Sequence, residues 1–314
     1  MLARTADSLF WLGRYMERAG NVARGLNATL RMASLAAPRG AEVSEWASLL
    51  EASGGFPQYL KLYGEPTPGQ AARWLTLDTL NPSSVATCFD AARRNARAVR
   101  TALTVDMWEA VNDTWIDLRK LDPGSAGGDK LMGFNDWVIS RTVLFNGAAM
   151  DTMLRDDAWR FVRLGVMLER ADNTARLLSA RAGAFDPGAE DEPGNRAQWT
   201  TTLRSVSALR AYQHLFRERL RPARVVELLV MRPEHPRSIG ACYEEVNAIL
   251  SVLAVSSDGE DRTACRRLAA GLRGRCTEHS AARVLDSGLK GLLTEIVDGN
   301  ARLGESIGQC FLVG

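Results

Sequence analysis

Leu12-Gly-Arg-Tyr-Met-Glu17-Arg18-Ala-Gly-Asn21-Val-Ala-Arg24-Gly-Leu26-Asn-Ala28 returns later in the chain as Leu164-Gly-Val-Met-Leu-Glu169-Arg170-Ala-Asp-Asn173-Thr-Ala-Arg176-Leu-Leu178-Ser-Ala180. Ten of these seventeen positions are identical at a constant offset of 152. The period is helical. Leu12, Met16, Ala19, Ala23, Leu26 and Leu30 follow spacings of four and three, which stacks them on one face, and Leu164, Leu168, Ala171, Ala175, Leu178 and Ala182 repeat the pattern. Small alanines in mid-stripe let a neighbouring helix approach closely.

A second line runs roughly opposite: Gly13, Glu17, Asn21, Arg24, Ala28, and again Gly165, Glu169, Asn173, Arg176, Ala180. At 100° per residue these five fall within about 80° of arc. Glu to Asn is i,i+4 and Asn to Arg is i,i+3, so the amide is placed to bridge carboxylate and guanidinium. Arg18 and Arg170 sit on the flank, turned 100° from the neighbouring glutamates. A charged stripe opposite an apolar one is ordinarily the solvated face of an amphipathic helix. Such faces drift freely because surface substitutions cost little. Retention of Glu, Arg, Asn and Arg in both copies points instead to a specific polar role. That role is either a satisfied network locking helices together or the lining of a site.

The repeat extends past this helix. Trp46 and Tyr59 recur as Trp199 and Tyr212, and Pro82, Ser84 and Cys88 as Pro236, Ser238 and Cys242, the offset growing to 153 and 154. The expected fold is all-α: an internally duplicated, pseudo-twofold bundle of roughly ten to thirteen helices. One domain, 1–314, holds two repeats, 2–153 and 154–258, and a C-terminal helical tail, 259–314. Helices are expected over Thr5–Ala36, Glu42–Ala52, Gln58–Tyr63, Gln70–Leu77, from Ser83 or Ser84 to Ala102, Val105–Leu121 and Lys130–Leu154. The tail adds Arg262–Arg273 and Ala281–Phe311. Gly183–Asn195 reads as a flexible loop, and no stretch alternates as a strand does.

Lys plus Arg number 39 against 37 Asp plus Glu, a net charge of +2 that gives no pull toward nucleic acid or anionic membrane. No run of eighteen apolar residues offers a membrane span, and nothing resembles a leader peptide. Five cysteines without a C-x-x-C fit free thiols in a reducing cytoplasm. His214, His235 and His279 share no metal-ligand spacing, and no nucleophile elbow or P-loop occurs, so no metal or cofactor is expected in this chain. Glu17 and Glu169, each with arginine nearby, are expected to stay ionised. That suits binding an amino acid or phosphate better than general-acid chemistry.

The two L-G-x-x-x-E-R-A-x-N-x-A-R segments resemble the signature of the bacterial alpha-E domain family. Cys88-Phe-Asp-Ala-Ala-Arg-Arg-Asn95-Ala-Arg97-x-x-Arg100, Trp108-Glu109-x-x-Asn112 and Pro236-Arg237-Ser238 resemble it too. The likeness covers about residues 2–255 and departs at Arg94, where the family tends to carry glutamate. It implies a cytoplasmic protein whose relatives accompany circularly permuted ATP-grasp proteins, often with a transglutaminase-like cysteine peptidase. ATP-grasp enzymes activate a carboxylate as an acyl phosphate and join it to an amine, so ATP and Mg are expected on the partner. The expected function is a helical accessory subunit of such an amide or peptide ligase. Its candidate binding residues are Glu17, Arg18, Asn21, Arg24, Glu169, Arg170, Asn173, Arg176, Asn95, Arg97, Trp108 and Asn112. Two alternatives stand beside it: a stand-alone peptide-modifying transferase or hydrolase, and a non-catalytic scaffold whose Glu-Asn-Arg networks are internal struts.

Overall fold

The computed structural model describes residues 1–34, 41–182, 193–255, 260–278 and 280–312. These fold as α-helices joined by short 3-10 and π-helical turns, with no strand among the described residues. The first half runs α1 (Ala3–Ala33), α2 (Ala41–Ala52), α3 (Phe56–Tyr63), α4 (Pro68–Thr76), α5 (Val85–Ala98), α6 (Val105–Lys120) and α7 (Leu131–Thr152). The second runs α8 (Asp157–Ala182), α9 (Pro193–Ser205), α10 (Leu209–Phe216), α11 (Pro222–Val226), α12 (Ile239–Val255), α13 (Glu260–Arg275) and α14 (Ala281–Ile307). The five-residue α11, which passes straight into a π-helical turn at Glu227–Met231, brings the number above the thirteen expected.

Local chemistry sets most helix starts. Ser84, Thr104 and Ser238 cap α5, α6 and α12 by accepting the backbone N–H of Thr87, Met107 and Ala241. Thr5 is not the cap of α1. The Leu2 carbonyl already accepts from Thr5 and Ala6, so the helix begins two residues earlier than expected. α5 stops at Ala98 because Val99 leaves helical geometry for a 3-10 turn at Arg100–Ala102. α14 kinks at Gly288 and widens into a π-helical turn at Gly308–Leu312. The expected end of α1 beyond residue 34 and most of the Gly183–Asn195 loop lie outside the described residues.

α1 and α8, which carry the two motifs, pack against each other at the centre. They run parallel: residues 10–13 of α1 meet 162–165 of α8, and farther along both helices Glu17 and Arg18 meet Arg170 and Glu169. The approach is tight enough to exclude side chains. A Cβ on Gly13 would overlap the Val162 carbonyl oxygen, and a Cβ on Gly165 would overlap that of Phe10. Val162 follows Phe10 by the same 152 residues that separate the glycines, so the contact is reciprocal.

The other helices dock on this pair in matched fashion. α5 and α7 pack on α1 while α12 and α14 pack on α8, and α2 crosses to α8 while α9 crosses to α1. α6 lies on α5 and α7, as α13 lies on α12 and α14. Trp46, Tyr59, Trp199 and Tyr212 are fully buried in the core. Backbone special positions match as well. Gly64 ends α3 at φ 72°, and Arg217, 153 residues later, ends α10 at φ 50°. No helix is long and apolar enough to cross a membrane among the described residues.

Two opposite stability changes follow from this backbone. Gly165→Ala, which forces the central helices apart, should lower unfolding free energy by about 2–3 kcal/mol. Arg217→Gly, at an exposed left-handed residue, should raise it by about 1 kcal/mol. Urea unfolding monitored by far-UV circular dichroism measures both.

Candidate functional site

The two glutamates of the motif are gripped by each other's helices. Arg170 of α8 donates Nε to Glu17 Oε1 at 3.1 Å and Nη2 to Oε2 at 3.0 Å. Arg18 of α1 donates Nε to Glu169 Oε1 at 2.5 Å and Nη2 to Oε2 at 2.9 Å. These are bidentate, charge-assisted pairs. Arg18 and Arg170, on the flank of the polar line in sequence, are the principal partners of the two glutamates. The 100° turn that takes each arginine away from its own glutamate points it across the parallel helix pair.

A third donor completes each carboxylate, and here the two sides differ. Arg237, in the turn before α12, gives Nη1 to Glu17 Oε1 at 2.6 Å and to Asn21 Oδ1 at 3.0 Å. That turn is itself held down, since Arg170 Nη1 donates to the Pro236 carbonyl and Thr174 Oγ1 to that of Arg237. Glu17 is left 1% exposed. On the other side the third donor is Arg14 of α1, whose Nε reaches Glu169 Oε2 at 2.8 Å. Neither donor has a like residue at its repeat position: Val166 corresponds to Arg14, and Ser83 to Arg237.

With serine in place of that arginine, the Glu169 side opens into a cavity of about 580 Å³. It lies between α1, α8, the turn after α2 and the end of α14. Its wall carries four carboxylates, Asp7, Glu169, Asp172 and Glu305, against three guanidiniums, Arg14, Arg18 and Arg176. Asn21, Asn173 and Ser83 add neutral polar groups, and Phe10 and Trp11 an aromatic edge. Arg176 is held by Asp172 at 2.7 Å. Asp7 and Glu305 make no ion pair among the described residues.

Asn21 has a fixed orientation. A guanidinium only donates, so the atom facing Arg237 is the amide oxygen and the nitrogen turns the other way. That Nδ2 is buried without a partner among the described residues, as is Nδ2 of Asn173. A buried amide donor left unmatched costs free energy.

Burial and charge act against each other on the ionisable groups. Burial alone would raise Glu169, but Arg18 and Arg14 outweigh it and hold the carboxyl down at about 2. Glu17 is held lower still: burial opposes ionisation, and Arg170 and Arg237 override it. Both are carboxylates at neutral pH. Arg24 goes the other way, lowered to about 9 by burial and by Arg237. Its repeat partner Arg176 has Asp172, but the corresponding position beside Arg24 is Gly20, and Arg24 Nη1 has no partner among the described residues. Cys88 lies beside the Arg18–Glu169 pair and Cys242 beside Arg170–Glu17, and burial pushes both thiols up to about 12. They are neutral core groups and not nucleophiles. Burial, with Arg237 and Arg170 nearby, lowers His235 to about 4. No group of His, Cys, Asp and Glu suited to hold a metal occurs among the described residues.

The structure therefore brings Glu17, Arg18, Asn21, Glu169, Arg170, Asn173 and Arg176 together around the α1–α8 contact. Arg24 lies buried beside the closed side and does not line the cavity. The remaining candidates lie elsewhere. Trp108 and Asn112 line a separate groove of about 330 Å³ on α6, where Arg100 lies 4.9 Å over the Trp108 ring and Arg93 donates to Asn112 Oδ1. Asn95 Nδ2 bonds back to the Ala91 carbonyl, and Arg97 is exposed. Conversely, Arg14, Asp172, Asp7 and Glu305 were not singled out from the sequence, and Arg237 only within the Pro236-Arg237-Ser238 stretch. For Arg14 and Arg237 the usable signal is a difference between the copies.

Comparison with known proteins places these features in context. The family described as "Alpha-E: A predicted alpha-helical domain with a conserved ER motif" matches residues 1–312. The chain is also similar to an uncharacterized protein of Mycobacterium bovis and two of Mycobacterium tuberculosis. Each is 27% identical over 283 residues, covering 81% of this chain and 30% of the relative. The chain thus spans under a third of the length of these curated relatives. No solved structure matches it significantly.

Glu17→Gln strands two buried guanidiniums and should cost about 3 kcal/mol or more. Glu169→Gln, at a cavity wall, should cost less than half as much in the same unfolding experiment. The acid limb of the stability profile should have two parts. His235 has an ordinary value of 6.5 and falls to about 4 on folding, so its contribution is lost as pH drops from 6.5 toward 4. Glu169 contributes fully above its ordinary 4.5 and is lost toward about 2. His235→Gln should flatten the first part and leave the second, as read from midpoint temperatures across pH.

Proposed function

As this chain belongs to the Alpha-E family, we propose that it is a helical accessory subunit of an ATP-grasp-type amide or peptide ligase system, receiving an amino acid or a peptide end in the cavity at Glu169. The observation that carries this reading is the unequal fate of two like networks. One is sealed by its own chain through Arg237; the other opens into a cavity with ionised carboxylates, guanidiniums and an unmatched buried amide donor. Fixed charges of both signs beside free hydrogen-bond donors suit a zwitterion or a peptide terminus. The lining carries two serines, Ser53 and Ser83, and no cysteine or histidine, which favours holding a substrate over attacking one.

In this reading the ligase partner binds ATP and Mg and forms the acyl phosphate. This chain positions the amine or the acceptor peptide for it. The relatives support a working companion, because the segment similar to this chain is 30% of each of them and further polypeptide accompanies it there. A transglutaminase-like peptidase acting on the product is the further companion the family resemblance implies. The cytoplasm is the proposed compartment, in keeping with five unpaired cysteines, four of them buried. The matched helix order and the reciprocal glycine contact support two fused units of seven helices each. On that reading α13 and α14 are the second unit's counterparts of α6 and α7, and not an added tail.

The scaffold reading keeps one specific observation in its favour, the Glu17–Arg170–Arg237 cluster, which is occluded as an internal strut is. The two readings part on mutation. In a complex co-purified with a circularly permuted ATP-grasp protein from the same source, Glu169→Gln or Arg176→Ala should abolish ATP-dependent ligation while the melting temperature moves by only a few degrees. A scaffold would show melting first and normal turnover of whatever stays folded. Unchanged turnover in both variants eliminates the accessory-subunit proposal.

A further inference from the structure

The closed side displays what kind of group its architecture receives. There the Arg237 guanidinium sits between Glu17 Oε1 and Asn21 Oδ1. Ser83 holds the corresponding place on the open side. Each residue directly follows a proline, Pro236 or Pro82, and directly precedes the serine that caps the next long helix, Ser238 or Ser84. Ser83, Glu169 and Asn173 all line the cavity. A short hydroxymethyl group therefore stands where the other side has a guanidinium.

The hydrogen bonds on Glu169 agree with this correspondence. Arg18 donates once to each oxygen, and Arg14 adds its bond to Oε2. On Glu17 the third bond goes to Oε1, from Arg237. A carboxylate oxygen accepts about two hydrogen bonds, so Glu169 Oε1 keeps an acceptor direction that its counterpart uses for a cation. Charge agrees too. Four carboxylates against three guanidiniums leave the wall one negative charge in excess, and Asp7 and Glu305 face no cation within ion-pair distance among the described residues.

We infer that the ligand of this cavity carries an ammonium or guanidinium group that docks on Glu169 Oε1 between Asn173 and Ser83, together with a hydrogen-bond acceptor for Nδ2 of Asn21. This rests on the proposed role of the cavity and narrows its substrate class to an amine-bearing amino acid or peptide, excluding a purely anionic one. The cation is either a peptide α-ammonium or a basic side chain. The two differ in reach but not in the chemistry they present to Glu169.

Calorimetric titration of the full chain separates these cases with three probes. Glycylglycinamide supplies an α-ammonium, Nα-acetyl-argininamide supplies a guanidinium alone, and succinate supplies no cation. At least one cationic probe should bind, and succinate should not. Ser83→Arg installs the missing guanidinium and should weaken that binding by at least about tenfold, as should Glu169→Gln. Ser83 is a partly exposed turn residue, and Ser83→Lys gives a second filling variant should the arginine disturb folding. Succinate binding equal to that of the cations, wild-type affinity in the filled variants, or binding of neither cationic probe would each overturn the inference. The ligation assay with Glu169→Gln and Arg176→Ala judges the accessory-subunit role separately, since it requires no assumption about the ligand's charge.

Discussion

Two carboxylates held by arginines from the opposite helix fix how α1 and α8 meet, and the remaining helices dock on that pair. A buried ion pair is seldom a net source of stability, because desolvation consumes most of the attraction. Its value here is register. Sliding α8 along α1 by one turn would strip Arg170 from Glu17 and Arg18 from Glu169 together, leaving four charges unmatched, three of them buried. The same slide would carry Gly13 and Gly165 away from the two carbonyls that tolerate no Cβ. Electrostatics and sterics therefore select the same alignment. Hydrophobic stripes of Leu and Ala alone would leave that alignment weakly specified, since they present similar surfaces one turn apart.

Around this contact the two flanks have been finished differently. One receives Arg237 and the turn that carries it, and becomes part of the core. The other receives Arg14 from within α1, keeps Ser83 in the turn, and gains Asp172 where the first flank has Gly20. Asp172 holds Arg176 at the cavity wall, whereas Arg24, without such an acid, is buried and its affinity for the proton falls. The difference between the closed flank and the open one is thus made at three repeat positions, Arg237/Ser83, Arg14/Val166 and Asp172/Gly20, while both keep the shared glutamate.

Much of this was legible in the sequence, and the limits have physical causes. Helical period, caps at Ser84 and Thr104, and the apolar stripes are local properties, so the all-α fold and most helix bounds followed from them. The motif residues were recognisable as special because both copies retain them. Their partners were not. Periodicity tells that Arg18 points 100° away from Glu17, but only the neighbouring helix tells what it points at. Identity between the copies does not point to Arg14 or Arg237, which lack counterparts, although Arg237 stands in the Pro236-Arg237-Ser238 stretch that resembles the family. Trp108, Asn112, Asn95 and Arg97 entered through family resemblance, which carries no information on distance. They belong to the α5–α6 surface, away from the central pair.

The sealed flank has a consequence for how such a protein changes over time. A cavity is a burden on folding: this one keeps amide donors unmatched and acids unpaired. Glu17, Arg170 and Arg237 brace the helix pair from the far flank and line no part of it. Ser83, Asp7 and Glu305 can therefore drift, and the wall change its charge, while those three keep the frame intact. Most of the bracing lies on one face of the pair, and most of the freedom to vary on the other.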